Sequence, residues 1–370
     1  VPYQPTERPI PGPEAFREAG DAAALSRAAI LLLLRAQLRE DGQAERALAE
    51  DEPSFPVPRL QRSGERIPVE PVRERLARRY AGELREDSSP EEMSGILSER
   101  LPDLAARLYE KPGLLAAAEL FETCLFHPDE LTRVAAAAAN LELSSDPVPS
   151  LELLRRGAQS ADELVRDVSA TALAQVAPED PGLAKLTAEN RLPGGAAART
   201  ALLVHGTFAR PFAWWQPGGG FHAYLSGIRP DLYAASDRFD WSGMYSDIAR
   251  ALGAIDLHAW IRDHGLDGLD LFAHSHGGSV AMLASNSGLD IGKLVLLSCP
   301  AHPQKYMPDF QHVGKVVSVR VHLDLVILVD GGGQRFAHPR ISENVLPVWF
   351  HHSATHDPDV WRKHDIPAKL

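Results

Sequence analysis

Leu269-Asp270-Leu271-Phe272-Ala273-His274-Ser275-His276-Gly277-Gly278-Ser279-Val280-Ala281-Met282-Leu283-Ala284-Ser285 is the stretch that decides the fold. An apolar run, a hexapeptide with one serine among small residues, and a helix-forming run follow one another. That order predicts a strand, a tight turn and a helix, the arrangement that lifts a hydroxyl nucleophile out of a sheet. In such a turn the serine takes a strained backbone angle, so the residues two before and two after it must be small. Ala273 and Gly277 meet the requirement, with one methyl group more than the usual glycine at the first position. The amide of His276, at the start of the helix, faces the position where negative charge would develop on a substrate.

Around this stretch the chain is built of short apolar runs: Thr200 to Val204, Asp231 to Ala235, Lys293 to Ser298, Val316 to Leu323 and Val345 to Phe350. With Leu269 to Phe272 they make six candidate strands. Helical stretches separate most of them, notably Met244 to His264 and Ser279 to Asn286. Continuous apolar strands joined by helices predict a parallel sheet covered on both faces. After the first strand comes Val204-His205-Gly206-Thr207-Phe208. A glycine there lets the backbone approach a substrate closely, with the amide of Thr207, or else of Phe208, as the second oxyanion donor.

A serine hydroxyl needs an imidazole to accept its proton and a carboxylate to orient that imidazole. Asp324 stands between the apolar runs Val316 to Leu323 and Leu325 to Val329, where a carboxylate is costly unless hydrogen-bonded. It is the candidate acid, and Asp330, before Gly331 to Gly333, reads as a turn residue. The base belongs in His351-His352-Ser353-Ala354-Thr355-His356, ahead of the helix start Asp357-Pro358. His352 is the first choice and His356 its rival. The three histidines are not read as a metal site, because Pro358 starts the helix after them and no His-Glu motif accompanies them.

Taken in order, His205-Gly206-Thr207, Ala273-His274-Ser275-His276-Gly277-Gly278, the Asp324 segment and the terminal histidine loop resemble the α/β-hydrolase superfamily, of the serine esterase and lipase type. Some small bacterial lipases share the Ala-His-Ser opening. The resemblance covers residues 197 to 370 and implies an ester hydrolase that forms an acyl-enzyme on Ser275. His352 or His356 would act as base, Asp324 as orienting acid, and the amides of His276 and Thr207 as oxyanion hole, with no cofactor. His205, Phe208, Phe212, Trp214, Trp215 and Phe221 are candidates for lining an acyl pocket, and Gly218 to Gly220 and Ala301 to Gly314 for gating it. An amidase or peptidase with the same triad is the alternative. Another is a non-enzymatic interaction protein with an inactive hydrolase scaffold.

The preceding part reads differently. At 370 residues the chain is long enough for two domains. Residues 1 to 196 carry 23 Lys+Arg against 34 Asp+Glu, the remainder 15 against 16, and 14 of the 15 histidines fall in the remainder. Residues 1 to 196 are therefore expected to form a helical domain with its linker, Pro178 to Ala198, and residues 197 to 370 the catalytic domain. Helices are predicted from Ala22 to Ala49, then over Val72 to Ala81, Pro90 to Glu99, Pro102 to Tyr109, Leu114 to Phe126 and Ser150 to Gly157. Residues 1 to 13 are proline-rich and expected to be extended. Two segments starting at Asp129-Glu130-Leu131 and Asp162-Glu163-Leu164, 33 residues apart, resemble HEAT-like repeats, with an irregular bundle as the alternative reading. Such a domain would serve as substrate cap, self-association surface or platform for a protein partner.

The net charge of −12, with no Lys/Arg stripe, argues against nucleic acid. Ala28 to Leu34 falls far short of the roughly 20 apolar residues that span a bilayer, so no transmembrane segment is expected. Cys124 and Cys299 make no disulfide framework and suit the cytoplasm. The start at Val1 leaves a removed leader, and so secretion, open.

Overall fold

The structure, a computed structural model, describes residues 16, 20–39, 42–51, 57–61, 70–85, 87–144, 146–190, 201–266 and 268–370. The expectation of an extended start over residues 1 to 13 lies outside the described residues, as does the part of the expected linker beyond residue 190. The chain divides into two compact units, Val1–Ala177 with Leu328–Gly331, and Pro178–Ile327 with Gly332–Leu370.

The first unit is helical: α1 (Asp21–Leu38), α2 (Gln43–Asp51), α3 (Val72–Arg79), α4 (Pro90–Glu110), α5 (Leu114–Cys124), α6 (Glu130–Asn140), α7 (Val148–Gly157) and α8 (Glu163–Val176). Every residue of α1 from Ala23 to Ala36 is buried. A helix buried on every side belongs at the centre of its unit, and α1 packs on α6 and α2. No described helix is long and apolar enough to cross a membrane. The similar Asp-Glu-Leu segments have a local cause: Asp129 accepts the Thr132 N–H at 2.7 Å and Asp162 the Val165 N–H at 3.0 Å, so each aspartate caps the helix that follows. The expected helices Pro90 to Glu99 and Pro102 to Tyr109 are one helix with Pro102 inside it. Proline removes one hydrogen bond there, but Met93, Leu97, Leu101, Leu104, Ala105 and Leu108 form a single buried stripe that outweighs the loss. Conversely, Ala22 to Ala49 is two helices rather than one.

The second unit contains α9 (Pro181–Ala184), β1 (Ala201–Val204), α10 (Gly220–Ile228), α11 (Asp247–Asp263), β2 (Leu269–His274), α12 (His276–Asn286), β3 (Ile291–Leu297) and β4 (Val313–His322). It ends with α13 (Leu325–Asp330), whose last residues belong to the first unit, then β5 (Ile341–Trp349) and α14 (Pro358–Lys363). The five strands form one all-parallel sheet in the order β1-β2-β3-β4-β5, and the protein is of the mixed α/β class. Helix α12 packs against β1, β2 and β3, and α11 against α12.

One expected strand and one apolar run take another form. Asp231 to Ala235 is no strand: it makes one parallel bridge, Leu232 to Ala201, at the free edge of β1. The Tyr233 N–H donates to Ala201 O at 2.7 Å and the chain then departs. The apolar run Leu325 to Val329 is helix α13: Asp324 caps its first turn, and burial is satisfied as well by a helix as by a strand.

From β1 the chain first goes to one side, toward Leu232, and then to the other, toward β2, so the strand order reverses at β1. In open parallel sheets the crevice at the carboxyl ends beside such a reversal is where ligands bind.

Candidate active site

Ser275 follows the last residue of β2 and precedes the first residue of α12, with φ 50° and ψ −133°. A non-glycine residue at positive φ stores strain and persists only where its surroundings hold it. Ser275 is held by its own N–H, which donates to Leu297 O of β3 at 2.8 Å, and by the Gly278 N–H, which donates to Ser275 O at 2.9 Å. Positive φ recurs along this edge: Ser298, Leu323 and Phe350, directly after β3, β4 and β5 respectively, have φ of 44°, 44° and 75°. Strain is thus concentrated at the carboxyl ends of four neighbouring strands.

Two glycines make the turn possible. A Cβ on Gly277 would lie 2.5 Å from His205 O and 2.8 Å from Val204 O, so α12 can start against the end of β1 only without one. A Cβ on Gly206 would lie 2.7 Å from Cβ of Ser275. The loop after β1 is therefore pressed against the serine.

Within that loop the two candidate oxyanion donors differ. The Phe208 N–H donates to Gly243 O at 2.9 Å, with Phe208 itself at φ 59°, so Phe208 is not available as a donor and that expectation is corrected. The Thr207 N–H has no backbone acceptor, and its buried Oγ1 no hydrogen-bond partner, among the described residues. His276 is the first residue of α12, where N–H groups have no acceptor within a helix.

Asp324 is fully buried at 0% exposure, and both carboxylate oxygens are engaged. Oδ1 accepts from the amides of Val326 at 3.0 Å and Ile327 at 3.2 Å, while Oδ2 lies 2.8 Å from Nδ1 of His352. These donors offset the cost of burying the charge. Gln334 fixes the backbone of the same residue, accepting from Asp324 N–H at 2.8 Å and donating to Asp324 O at 3.2 Å. With its Nδ1 on the carboxylate, His352 keeps Nε2 as its basic nitrogen. The rings of His352 and His274 are 4.7 Å apart, and His274 immediately precedes Ser275. His352 is 3% exposed and Ser275 7%.

His356 sits differently. Its ring lies flat on the indole of Trp214, with centroids 3.9 Å apart and planes 6° apart, and edge-on to His274 at 4.6 Å. Residues His352–His356 form a single 3₁₀ turn, and Asp357 caps α14 by accepting from Asp359 N–H at 2.7 Å and Val360 N–H at 3.3 Å. Among the described residues no group of three or more His, Cys, Asp or Glu is arranged to hold a metal ion.

The candidate pocket residues separate into two groups. His205 and Trp215 are fully buried and serve the loop's own structure, which corrects their assignment to a pocket wall. His205 contacts Gly206 O at 2.8 Å through Nδ1 and Asp240 at 3.2 Å through Nε2, and is packed between Trp215 and Trp241. Burial alone would raise the pKa of Asp240, but the bonds from His205 and Arg210 outweigh it and hold the carboxyl below its ordinary range. Trp215 Nε1 donates to Ala209 O at 2.8 Å. Phe212 and Trp214 are half-buried. Phe221 is buried behind Trp214.

Sequence reasoning did not single out His274, Asp240 or Gln334. His274 was visible in the motif as the residue before the serine. It is buried amid Trp214, His352 and His356, and desolvation, then the neighbouring histidines, hold its pKa well below the usual value. Asp240 and Gln334 lie in segments without periodicity and carry no signal of their own.

No protein-family model and no curated protein matches this chain. Among solved structures it is similar to an uncharacterized protein from Bacillus cereus ATCC 10987, at 14% identity and a TM-score of 0.29, over 73% of this chain and 97% of that one. At that level neither fold nor activity carries over from one chain to the other.

Proposed function

We propose that this chain is a serine hydrolase of the α/β-hydrolase type that cleaves carboxylic esters through an acyl-enzyme on Ser275. The observation that carries the reading is the convergence, at one edge of the sheet, of a serine at positive φ and a buried histidine bonded at 2.8 Å to a buried carboxylate. In this reading Ser275 Oγ attacks the ester carbonyl carbon while His352 Nε2 takes its proton. Asp324 holds the ring and stabilises the imidazolium, and the amides of Thr207 and His276 receive the oxyanion. His352 returns the proton to the leaving alcohol, and water releases the acid by the same steps in reverse. Each oxyanion donor contributes on the order of 10²-fold to 10³-fold in rate. The half-buried rings of Phe212 and Trp214 favour an ester with an apolar acyl or alcohol group.

Reaction with a fluorophosphonate probe, read by intact mass and peptide mapping, tests the nucleophile, and a series of p-nitrophenyl esters of increasing acyl length tests the reaction. We expect one adduct on Ser275, none in Ser275→Ala, and ester turnover that the same substitution abolishes. Absence of the adduct would leave the site a scaffold without chemistry, and adduct formation with turnover of anilides but not esters would make it an amidase.

A further inference from the structure

The helical unit holds a cavity of about 810 Å³, bounded by α3, α4, α6, α7 and the turn between α5 and α6. Every residue that lines it belongs to that unit. Its volume is in the range of sites for small molecules. Phe126, Val134, Val148 and Leu153 give it an apolar wall, which follows α7 from Val148 to Arg156, a length of about 12 Å.

Three arginines also line the cavity, Arg73, Arg133 and Arg156, and none has a carboxylate partner among the described residues. Other arginines of the unit are paired: Arg75 with Glu122, Arg100 with Glu83, and Arg79 and Arg107 with Glu119. Residues 1 to 196 hold 34 Asp+Glu against 23 Lys+Arg, so a scarcity of acids does not explain the exceptions. Arg133 Nη1 donates to His127 O and Pro128 O, both at 2.7 Å. These bonds hold the guanidinium at the turn and leave its Nη2 and Nε without acceptors among the described residues. The Arg73 guanidinium carbon is 6.0 Å from the centroid of the Phe126 ring.

His127 adds a neutral donor. It is 9% exposed, and its Nδ1 accepts the Asp129 N–H at 3.0 Å, which puts the proton of the neutral ring on Nε2. Burial first, and then the charge of Arg27, push its pKa down to about 4, so the ring is neutral at neutral pH. Nε2–H has no acceptor among the described residues, a cost that a ligand oxygen would relieve. Glu91, Glu130 and Glu152 line the same cavity without pairing with these arginines. Glu130 accepts from Ser160 Oγ at 3.1 Å, and Glu91 and Glu152 are exposed. Their charge disfavours a polyanion and favours a ligand with a single negative group.

We propose that this cavity binds a monocarboxylate with an apolar chain, the carboxylate taken by Arg133, Arg73 and His127 Nε2–H and the chain by the wall along α7. Planar guanidinium groups match a carboxylate with two parallel hydrogen bonds. A peptide fits less well, because its backbone N–H and C=O groups would lie against Phe126, Val134 and Leu153 without partners. The assignment is independent of the chemistry at Ser275.

Isothermal titration calorimetry on the full-length protein tests it, with sodium octanoate as probe and 1-octanol and sodium acetate as controls. We expect a saturable component for octanoate. 1-Octanol lacks the charge and acetate the chain, so each should bind at least about tenfold more weakly. Arg133→Met and Arg73→Met should each weaken octanoate about tenfold or more. Leu153→Trp, which fills the wall, should remove the component. Arg107→Met breaks the ion pair with Glu119 outside the cavity and should leave it unchanged.

Arg73 has no hydrogen bond among the described residues, so its variant remains informative if Arg133→Met does not fold. Absence of saturable octanoate binding would overturn the proposal, as would equal binding of 1-octanol. A wild-type isotherm in both Arg73→Met and Leu153→Trp would also overturn it, by placing octanoate elsewhere on the protein. Binding of a synthetic peptide with one glutamate among leucines, in place of octanoate, would instead make the cavity a site for a protein segment and refute the small-molecule assignment.

Discussion

Nδ1 of His352 and Oδ2 of Asp324 lie 2.8 Å apart although 28 residues separate them in the chain. The register of two neighbouring strands brings them together. β4 and β5 run parallel with His322 opposite Trp349, so the residues just beyond, Asp324 and His352, emerge at the same height on the same edge. Ser275 emerges two strands away in the same direction, with β3 between.

Replacing the acid separates its two duties. Asp324→Asn should lower kcat on the order of 10⁴-fold by giving His352 the wrong tautomer, while the amide oxygen can still cap α13. Asp324→Ala should lose a similar factor and, in addition, about 1 kcal/mol of stability for the lost cap. Ester turnover and urea midpoints on the same samples check both.

The two histidines of the terminal turn should behave unequally. We expect His352→Ala to lower kcat by at least about 10³-fold. His356→Ala removes a ring stacked on Trp214 and should cost less than about tenfold, mostly in KM. The reverse ranking in steady-state kinetics would transfer the role of base to His356.

Gly206→Ala places a methyl group 2.7 Å from Cβ of Ser275, so either the loop after β1 or the serine must shift. A displacement of this kind should cost between about 10-fold and 10²-fold in kcat. Reaction with the fluorophosphonate probe should slow in parallel, whereas circular dichroism should remain that of the wild type.

His274 should make the fold acid-sensitive. Its pKa is held well below the ordinary 6.5 by burial and by the neighbouring His356 and His352, so the folded state keeps the ring neutral while the unfolded chain takes up a proton near 6.5. Because the folded value is depressed, the unfolded state binds more protons below that pH, and stability present above 6.5 is lost as pH falls. Urea midpoints measured from pH 7.5 to 5 should decline more steeply for the wild type than for His274→Gln. Equal slopes would contradict the assignment.

Local pattern made much of the architecture legible. The run of apolar residues into small ones at Ala273 and Gly277 marked the strand, turn and helix around Ser275, because a sharp turn excludes side chains in a way that depends only on near neighbours. The likeness of the Asp129 and Asp162 segments was legible too, but that each aspartate caps a helix came from the structure. Pattern failed where one apolar run fits two structures: Leu325 to Val329 reads equally as strand or helix, and the cap from Asp324 decides. It failed again at Asp231 to Ala235, whose pairing with β1 stops after one bridge.

The amino-acid sequence by itself therefore determined the helical texture of the first half, the alternating strands and helices of the second, and the residue types available for chemistry at each strand end. Only the tertiary structure decided that His352 rather than His356 meets the carboxylate, that Gly243 takes the Phe208 amide, and that Arg35 reaches Val329 across 294 residues of chain. Periodicity and turn chemistry act over a few residues, whereas these contacts depend on strand register and close packing between distant segments, which no short window of sequence encodes.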